Sequence, residues 1–208
     1  MNKKLPNFVA LLGITLLFIS ATIDLDNLFN YANQSKPNYI NKDNTADGNQ
    51  IDDKIATLGR VLFYDKKLSA NNTIACASCH KQEKAFGDDA TQSVGLNGSL
   101  TGRHSMRLIN SRFSDENKFF WDERAASLED QTTKPIQDHV EMGFSGTEGD
   151  PDFNDLITKL SAVDYYQELF KFAFGDETIT ERKMQLALAQ FIRSIQSFDS
   201  KFDVGLVQ

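Results

Sequence analysis

Apolar positions recur at helical spacing in several parts of the chain, and they nowhere alternate over a useful length as a half-buried strand would. Ile51, Ile55, Leu58 and Leu62 fall at i, i+4, i+7 and i+11, one face of a helix. Gly59 sits inside that stretch, and a mid-helix glycine costs about 1 kcal/mol against alanine. Close approach of the last helix, near Phe191 or Phe198, is the expected compensation. Asp150-Pro151 reads as a helix start, with an acid at the N-cap and proline at the first position. Phe153, Leu156, Ile157 and Leu160 mark the helix that follows. Tyr165 to Phe174 forms another, closed by Gly175. The strongest stripe is last: Met184, Leu188, Phe191, Ile192, Ile195 and Phe198, behind Thr180 as a cap. From Ser69 to Asn110 there is no sustained period and much Gly, Asn, Ser and Thr, which predicts loops and short helices wrapped round something. No internal repeat is evident. The pattern predicts an all-α body with too much loop for a simple bundle.

The two ends of the N-terminal quarter read differently. Lys3 and Lys4 precede Phe8 to Ile19, twelve residues without a charge. That run is short for a bilayer span and suits the apolar region of an export signal. Residues 1–23 are therefore expected to be a signal peptide, or else an uncleaved N-terminal anchor, with the body in the periplasm. Residues 24–50 are rich in Asn, Asp, Ser and Lys and read as a polar linker, with one short helical turn at Leu25, Leu28, Phe29 and Tyr31. Residues 51–208 form the body.

Composition narrows the class. With 208 residues, 40% hydrophobic and 25% charged, the chain can bury a core and is neither disordered nor polytopic. The formal charge is -7; without the first 23 residues, which hold two lysines and no acid, it is -9. Nucleic acid is a poor partner for such a body, and a basic protein is a better one. Two cysteines exclude a disulfide framework.

Those two cysteines stand in Cys76-Ala77-Ser78-Cys79-His80, the CxxCH signature of covalent haem c attachment. Two thiols one helical turn apart can each add to a vinyl group on one porphyrin edge, and His80 then ligates the iron. Shuffling this composition gives the pattern roughly once in 7,000 trials. A zinc site would need further ligands where only His104 and His139 remain, and a redox CxxC normally sits in a βαβ unit. The opposite axial position separates an electron carrier from an enzyme. Candidate sixth ligands are Met106, Met142, Met184, His104 and His139, although Met184 also reads as core stripe.

Around this motif the stretch from Leu58 to Phe144 resembles the N-terminal, peroxidatic haem domain of bacterial di-haem cytochrome c peroxidases and the related MauG enzymes. The resemblance rests on LGRVLFYDKKLSANNTIACASCH (58–80), KAFGD (84–88), TGRHSMRLIN (101–110), FFWDERAASLEDQ (119–131) and PIQDHVEMGF (135–144), and on the closing QFIRSIQSFDSKFD. It implies a cytochrome c-like all-α fold and one haem c held by Cys76, Cys79 and His80. It assigns Trp121 to the aromatic that bridges two haems, and Gln131 and Glu141 to the pair above the iron. It further implies hydrogen peroxide as oxidant, and a small cytochrome or similar protein as electron donor. Glu141 also suits proton transfer between peroxide oxygens on chemical grounds.

Departures from the family's pattern carry information too. Peroxidases of the family place a histidine shortly after a loop glycine, where this chain has Val94-Gly95-Leu96; leucine cannot ligate iron, which favours a MauG-like open haem. His104 stands where the family often has asparagine near a calcium ion, which speaks against calcium and leaves an unassigned imidazole. The family's second haem domain would begin where this chain stops, at Gln208. The expected function is thus peroxide reduction by the peroxide-reacting half of a di-haem enzyme. The alternatives are a monohaem electron carrier and a MauG-like oxidase of a protein substrate.

Overall fold

The computed structural model describes residues 28–206; the expected signal stretch and Leu25 lie outside them. Seven helices occur among these residues: α1 (Asp53–Tyr64), α2 (Cys76–Cys79), α3 (Leu128–Thr133), α4 (Phe153–Ser161), α5 (Asp164–Phe174), α6 (Glu181–Arg193) and α7 (Lys201–Leu206). Single 3-10 turns and three isolated bridges punctuate the long loops, and no strand longer than a bridge occurs among the described residues. The fold is the expected all-α, loop-rich haem-domain type.

Local chemistry sets the helix ends. Asp52 accepts from the Lys54 and Ile55 N–H groups to start α1. Thr180 caps α6 through the Lys183 N–H, and Gly175, at φ +84°, closes α5 in the left-handed region. The start of α4 differs from expectation. Its cap is Asp152, in a reciprocal box with Asp155, and Pro151 precedes the helix. Asp150 is occupied elsewhere: its carboxylate accepts from Ser145 Oγ at 2.7 Å and lies 2.8 Å from His139 Nδ1.

The core is built on the crossing of α1 and α6. A Cβ on Gly59 would lie 2.0 Å from the Ala187 carbonyl oxygen and 2.9 Å from Phe191 Cβ. The glycine thus permits backbone contact, against Phe191 as expected and not against Phe198. Leu58, Leu62 and Phe63 bury against Ala187, Leu188, Phe191 and Ile192 around it. The apolar stripe of α6 outruns its helix, which ends at Arg193. Asn110, at φ +58°, accounts for this. Its N–H binds the Ile195 carbonyl, its side chain bonds both backbone groups of Ser197, and residues 195–199 are neither helix nor strand. Phe198 instead packs on Phe113, ring centroids 5.4 Å apart.

Residues 28–50 have neither helix nor strand, so the described part of the expected turn at Leu28 to Tyr31 is not helical. Nor do they hang free. Asp53 accepts from the Tyr31 and Ala32 N–H groups, and the buried Tyr31 ring meets Phe191 edge-on. Asn49 joins a buried network in which the Arg193 guanidinium grips the Glu129 carboxylate at 2.5 and 3.1 Å. That pair ties α3 to α6, and Asn44 and Asn49 bind the N-terminal segment to both.

Candidate functional site

The site begins at the single helical turn of α2, where the Ala75 N–H bonds Ser78 Oγ and the His80 N–H bonds the Cys76 carbonyl. His80 follows directly, its Nδ1 3.0 Å from the Phe86 carbonyl oxygen. With Nδ1 engaged, Nε2 is the nitrogen left to ligate a metal. The carbonyl is aimed by unusual backbone: Ala85 and Phe86 both hold positive φ, 56° and 55°, inside the turn bridged by Lys81 and Gly87. Asp88 anchors that turn, taking Lys81 Nζ at 2.9 Å and Ser93 Oγ at 2.8 Å. The Lys81 ammonium holds its carboxyl far below the usual range. Burial lowers the pKa of His80, partly offset by the Phe86 and Met106 carbonyls, and so favours the neutral, ligating imidazole.

Cys76, Cys79 and His80 face one cavity of ≈ 550 Å³. Phe63 of α1, Leu188 and Ile192 of α6, Leu128 and Gln131 of α3 and the loops 101–111 and 118–124 complete its wall. Both thiols are free rather than joined as a disulfide. Burial pushes the Cys76 thiol up to about 12, and the neighbouring Cys79 adds to this. The residues fit a haem. The volume lies in the range of cofactor sites, the walls are mostly apolar, and two thiols and an anchored imidazole converge on it. Ser111 Oγ, buried and unpartnered in a residue of the same wall, leaves one polar group for a ligand to satisfy.

All three further residues expected at the site are brought to this cavity. Gln131, on the last turn of α3, and Glu141 both line it. Glu141 lies in a turn held by Asp138, whose carboxylate accepts from the Val140 and Glu141 N–H groups at 2.8 and 3.0 Å. Burial pushes the Glu141 carboxyl up to about 7; Asp138 adds to the shift and Arg124 opposes it. Trp121 stands at the mouth. It is 58% exposed, and its indole N–H donates to the His104 carbonyl at 2.8 Å. Its loop is pinched by the Phe119–Ala125 bridge, with Phe120 and Glu123 at positive φ, and the Arg124 guanidinium lies 3.6 Å over the Phe120 ring. Core packing does not explain such an indole.

The candidate sixth ligands separate. Met184 is core, as its stripe suggested, and His139 is exposed between Asp150 and Glu148; neither lines the cavity. His104, Met106 and Met142 do line it, with His104 Nδ1 held 2.8 Å from the Ala90 carbonyl. Leu96 is turned away. It is buried against Gly143, where a Cβ would come within 2.4 Å of the leucine Cδ2, and its N–H bonds the Val140 carbonyl. The segment that follows the loop glycine therefore packs behind the Glu141 turn and offers the cavity no ligand. Among the described residues no group of three or more His, Cys, Asp or Glu side chains could hold a metal ion.

Sequence reasoning missed Phe86, Asp88, Asp138 and Arg124. The KAFGD segment was the available signal for the first two, since its glycine and aspartate mark the turn that holds His80.

Comparison with known proteins shows the family to which the chain belongs. A family model described as di-haem cytochrome c peroxidase matches residues 53–207. The methylamine utilization protein MauG of Methylophilus methylotrophus is 34% identical over 71% of this chain and 42% of its own length. A cytochrome c551 peroxidase of Nitrosomonas europaea is 31% identical over 73% of this chain and 43% of its own length. The crystal structure of a MauG-like protein associated with microbial copper homeostasis superposes with a TM-score of 0.74 at 32% identity, covering 84% of this chain and 50% of that one. The chain thus spans less than half the length of these two curated relatives.

Proposed function

Because the chain belongs to the di-haem cytochrome c peroxidase family, we propose that its cavity holds one haem c and reduces hydrogen peroxide to water with electrons from a small cytochrome-like protein. Cys76 and Cys79 hold the porphyrin and His80 ligates its iron. The haem supplies the metal that binds peroxide and the redox equivalents that split it. The remaining work falls to this chain's own side chains. Glu141 takes the proton of the proximal peroxide oxygen on its carboxylate and returns it to the departing one, as an acid/base with a pKa near working pH does. Gln131 hydrogen-bonds the oxygens from α3, and the apolar walls limit competing water. Electrons arrive through the exposed Trp121. Export to the periplasm, where c-type haem is attached, completes the reading.

The observation that carries the proposal is the placement of Glu141 on the wall it shares with Cys76, Cys79 and His80, where burial pushes its carboxyl up to about 7. In stopped-flow mixing of the ferric, haem-loaded chain with peroxide, the rate should rise with pH through about 7 as the carboxylate forms. Glu141→Gln should slow it by about 10²- to 10⁴-fold and flatten the profile. An unchanged rate and profile in the variant would remove Glu141 from the chemistry. A MauG-like oxidation of a partner protein is a second reading, favoured by the outward-facing Trp121 and by Leu96 packing away from the cavity. Its mark is a peroxide-dependent mass change in aromatic residues of the partner.

A further inference from the structure

A file of aromatic rings leads from the imidazole of His80 to the surface. The Phe63 ring, fully buried, lies 6.5 Å from His80 between centroids and 5.3 Å from Tyr64. Phe63 also meets Phe191 at 5.2 Å, and Phe191 touches both Tyr64 and Tyr31 at 6.3 Å. Phe29 closes the file 6.0 Å beyond Tyr31. Phe63 lines the cavity, and Tyr64 does not. Yet Tyr64 is 41% exposed, one ring removed from the side chain that ligates the iron. The two other described tyrosines in ring contact, Tyr165 and Tyr166, stack with Phe170 and Phe174 in a separate group and bond Asp65.

We propose that Tyr64 is a one-electron oxidation site at the surface, by which the protein oxidises phenolic reductants too bulky for the cavity. The idea rests on the peroxidase reading above. Phenylalanine is not itself oxidised at such a site, but a close-packed ring leaves neither void nor water between donor and acceptor, so an electron can pass from Tyr64 to the His80 side. Tyrosine gives up a proton with its electron: the O–H bond breaks and a phenoxyl radical remains. The hydroxyl sits 3.4 Å from Gln82 Oε1 at the surface, where solvent takes the proton. Burial raises the Tyr64 pKa, with Glu83 and Tyr31 adding to this and the Arg60 cation, whose guanidinium also lies 4.8 Å over Phe29, opposing it, so the proton leaves with the electron rather than ahead of it. A phenol at the surface then returns one electron and one proton to Tyr64. Two such cycles balance one peroxide: two phenols and one hydrogen peroxide give two phenoxyl radicals and two waters. Among the described residues Trp121 makes no ring contact with the file, so the route does not pass through it.

The test uses the haem-loaded full chain, one equivalent of hydrogen peroxide and a nitroso spin trap, followed by peptide mass spectrometry. The Tyr64 peptide should carry the trap. Tyr64→Phe keeps the ring packing and should abolish that adduct. It should also abolish most turnover of a bulky phenol, while the haem absorption still responds to peroxide. Tyr39→Phe is the control, since among the described residues Tyr39 bonds Asp203 and joins no ring of the file. It should change neither readout. An adduct confined to Trp121, or phenol turnover untouched in Tyr64→Phe, overturns the proposal while the peroxidase reading stands. A haem absorption that does not respond to peroxide even in the unaltered protein overturns both.

Discussion

Gly59→Ala sets two terms of opposite sign against each other. Alanine is the better helix former by about 1 kcal/mol, so an exposed site would be stabilised. Here the new Cβ would lie 2.0 Å from the Ala187 carbonyl oxygen, 2.6 Å from its carbon and 2.9 Å from Phe191 Cβ. The first two contacts are with backbone, which no rotamer change relieves. Reaching an ordinary separation of ~3.5 Å means parting α1 and α6 by about 1.5 Å, and gaps of even 0.5–1 Å forfeit a quarter to a half of each dispersion contact. The loss spreads over Leu58, Leu62, Phe63, Leu188 and Phe191. Overpacking of this kind costs about 1–3 kcal/mol or more, and with backbone as the obstacle the upper end applies. After the propensity gain, a net loss of roughly 2 kcal/mol remains, or a Tm lower by about 4–8 °C for a body of this size. Calorimetry and a denaturant midpoint on the haem-loaded protein measure it. Phe63, Leu188 and Ile192 form the cavity wall, so haem retention should weaken in parallel. An unchanged or raised Tm would show that the helices do not cross in contact at this residue.

Other outcomes follow from the charges. Removing one partner of the buried Arg193–Glu129 pair, as in Glu129→Ala, should cost about 3–5 kcal/mol, read as a shift of the urea midpoint. Burial opposes ionisation of Glu129, but Arg193 and Asn49 hold its pKa below the ordinary value. Its stabilising contribution is therefore present above the unfolded carboxylate pKa and lost as pH falls through the lower folded one. Glu141 has the opposite sign: its raised pKa favours the fold fully below the unfolded value, and that contribution disappears as pH rises through about 7. Stability of Glu141→Gln should accordingly gain on the natural protein between pH 4 and 8, by at most about 3 kcal/mol in urea titrations. Asp88→Ala should free Lys81 and Ser93 and loosen the turn behind His80, seen as faster hydrogen exchange at residues 81–105.

The parts legible in the sequence were those that depend on near neighbours. The CxxCH turn is one, the stripes of α1 and α6 are others, and a glycine within α1 pointed to Phe191 because helical period and close packing are local signals. Where distant residues compete, the reading slipped. Asp150 and Asp152 are both acids ahead of the same helix, and His139 and Ser145, brought in by another turn, decide which one caps it. The stripe of α6 continues to Phe198, but Asn110 diverts the backbone before the period ends. Residues 28–50 look like a tether in composition, and partners 21 to 149 positions away bind them to the body. At the site, the resemblance to the family pointed to Glu141, Gln131 and Trp121, while the neighbours that support two of them, Asp138 beneath Glu141 and Arg124 beside Trp121, carry no sequence signature of their own.

The central claim is one porphyrin thioether-linked to Cys76 and Cys79, bound through Nε2 of His80 and open on the Glu141 side. The ferric absorption and electron paramagnetic resonance spectra of the purified, haem-loaded chain test it most directly. A high-spin ferric haem whose pyridine adduct shows both thioether bonds is the predicted result. A low-spin spectrum that converts to high spin on replacing His104, Met106 or Met142 would show that face closed by a side chain and would contradict the account.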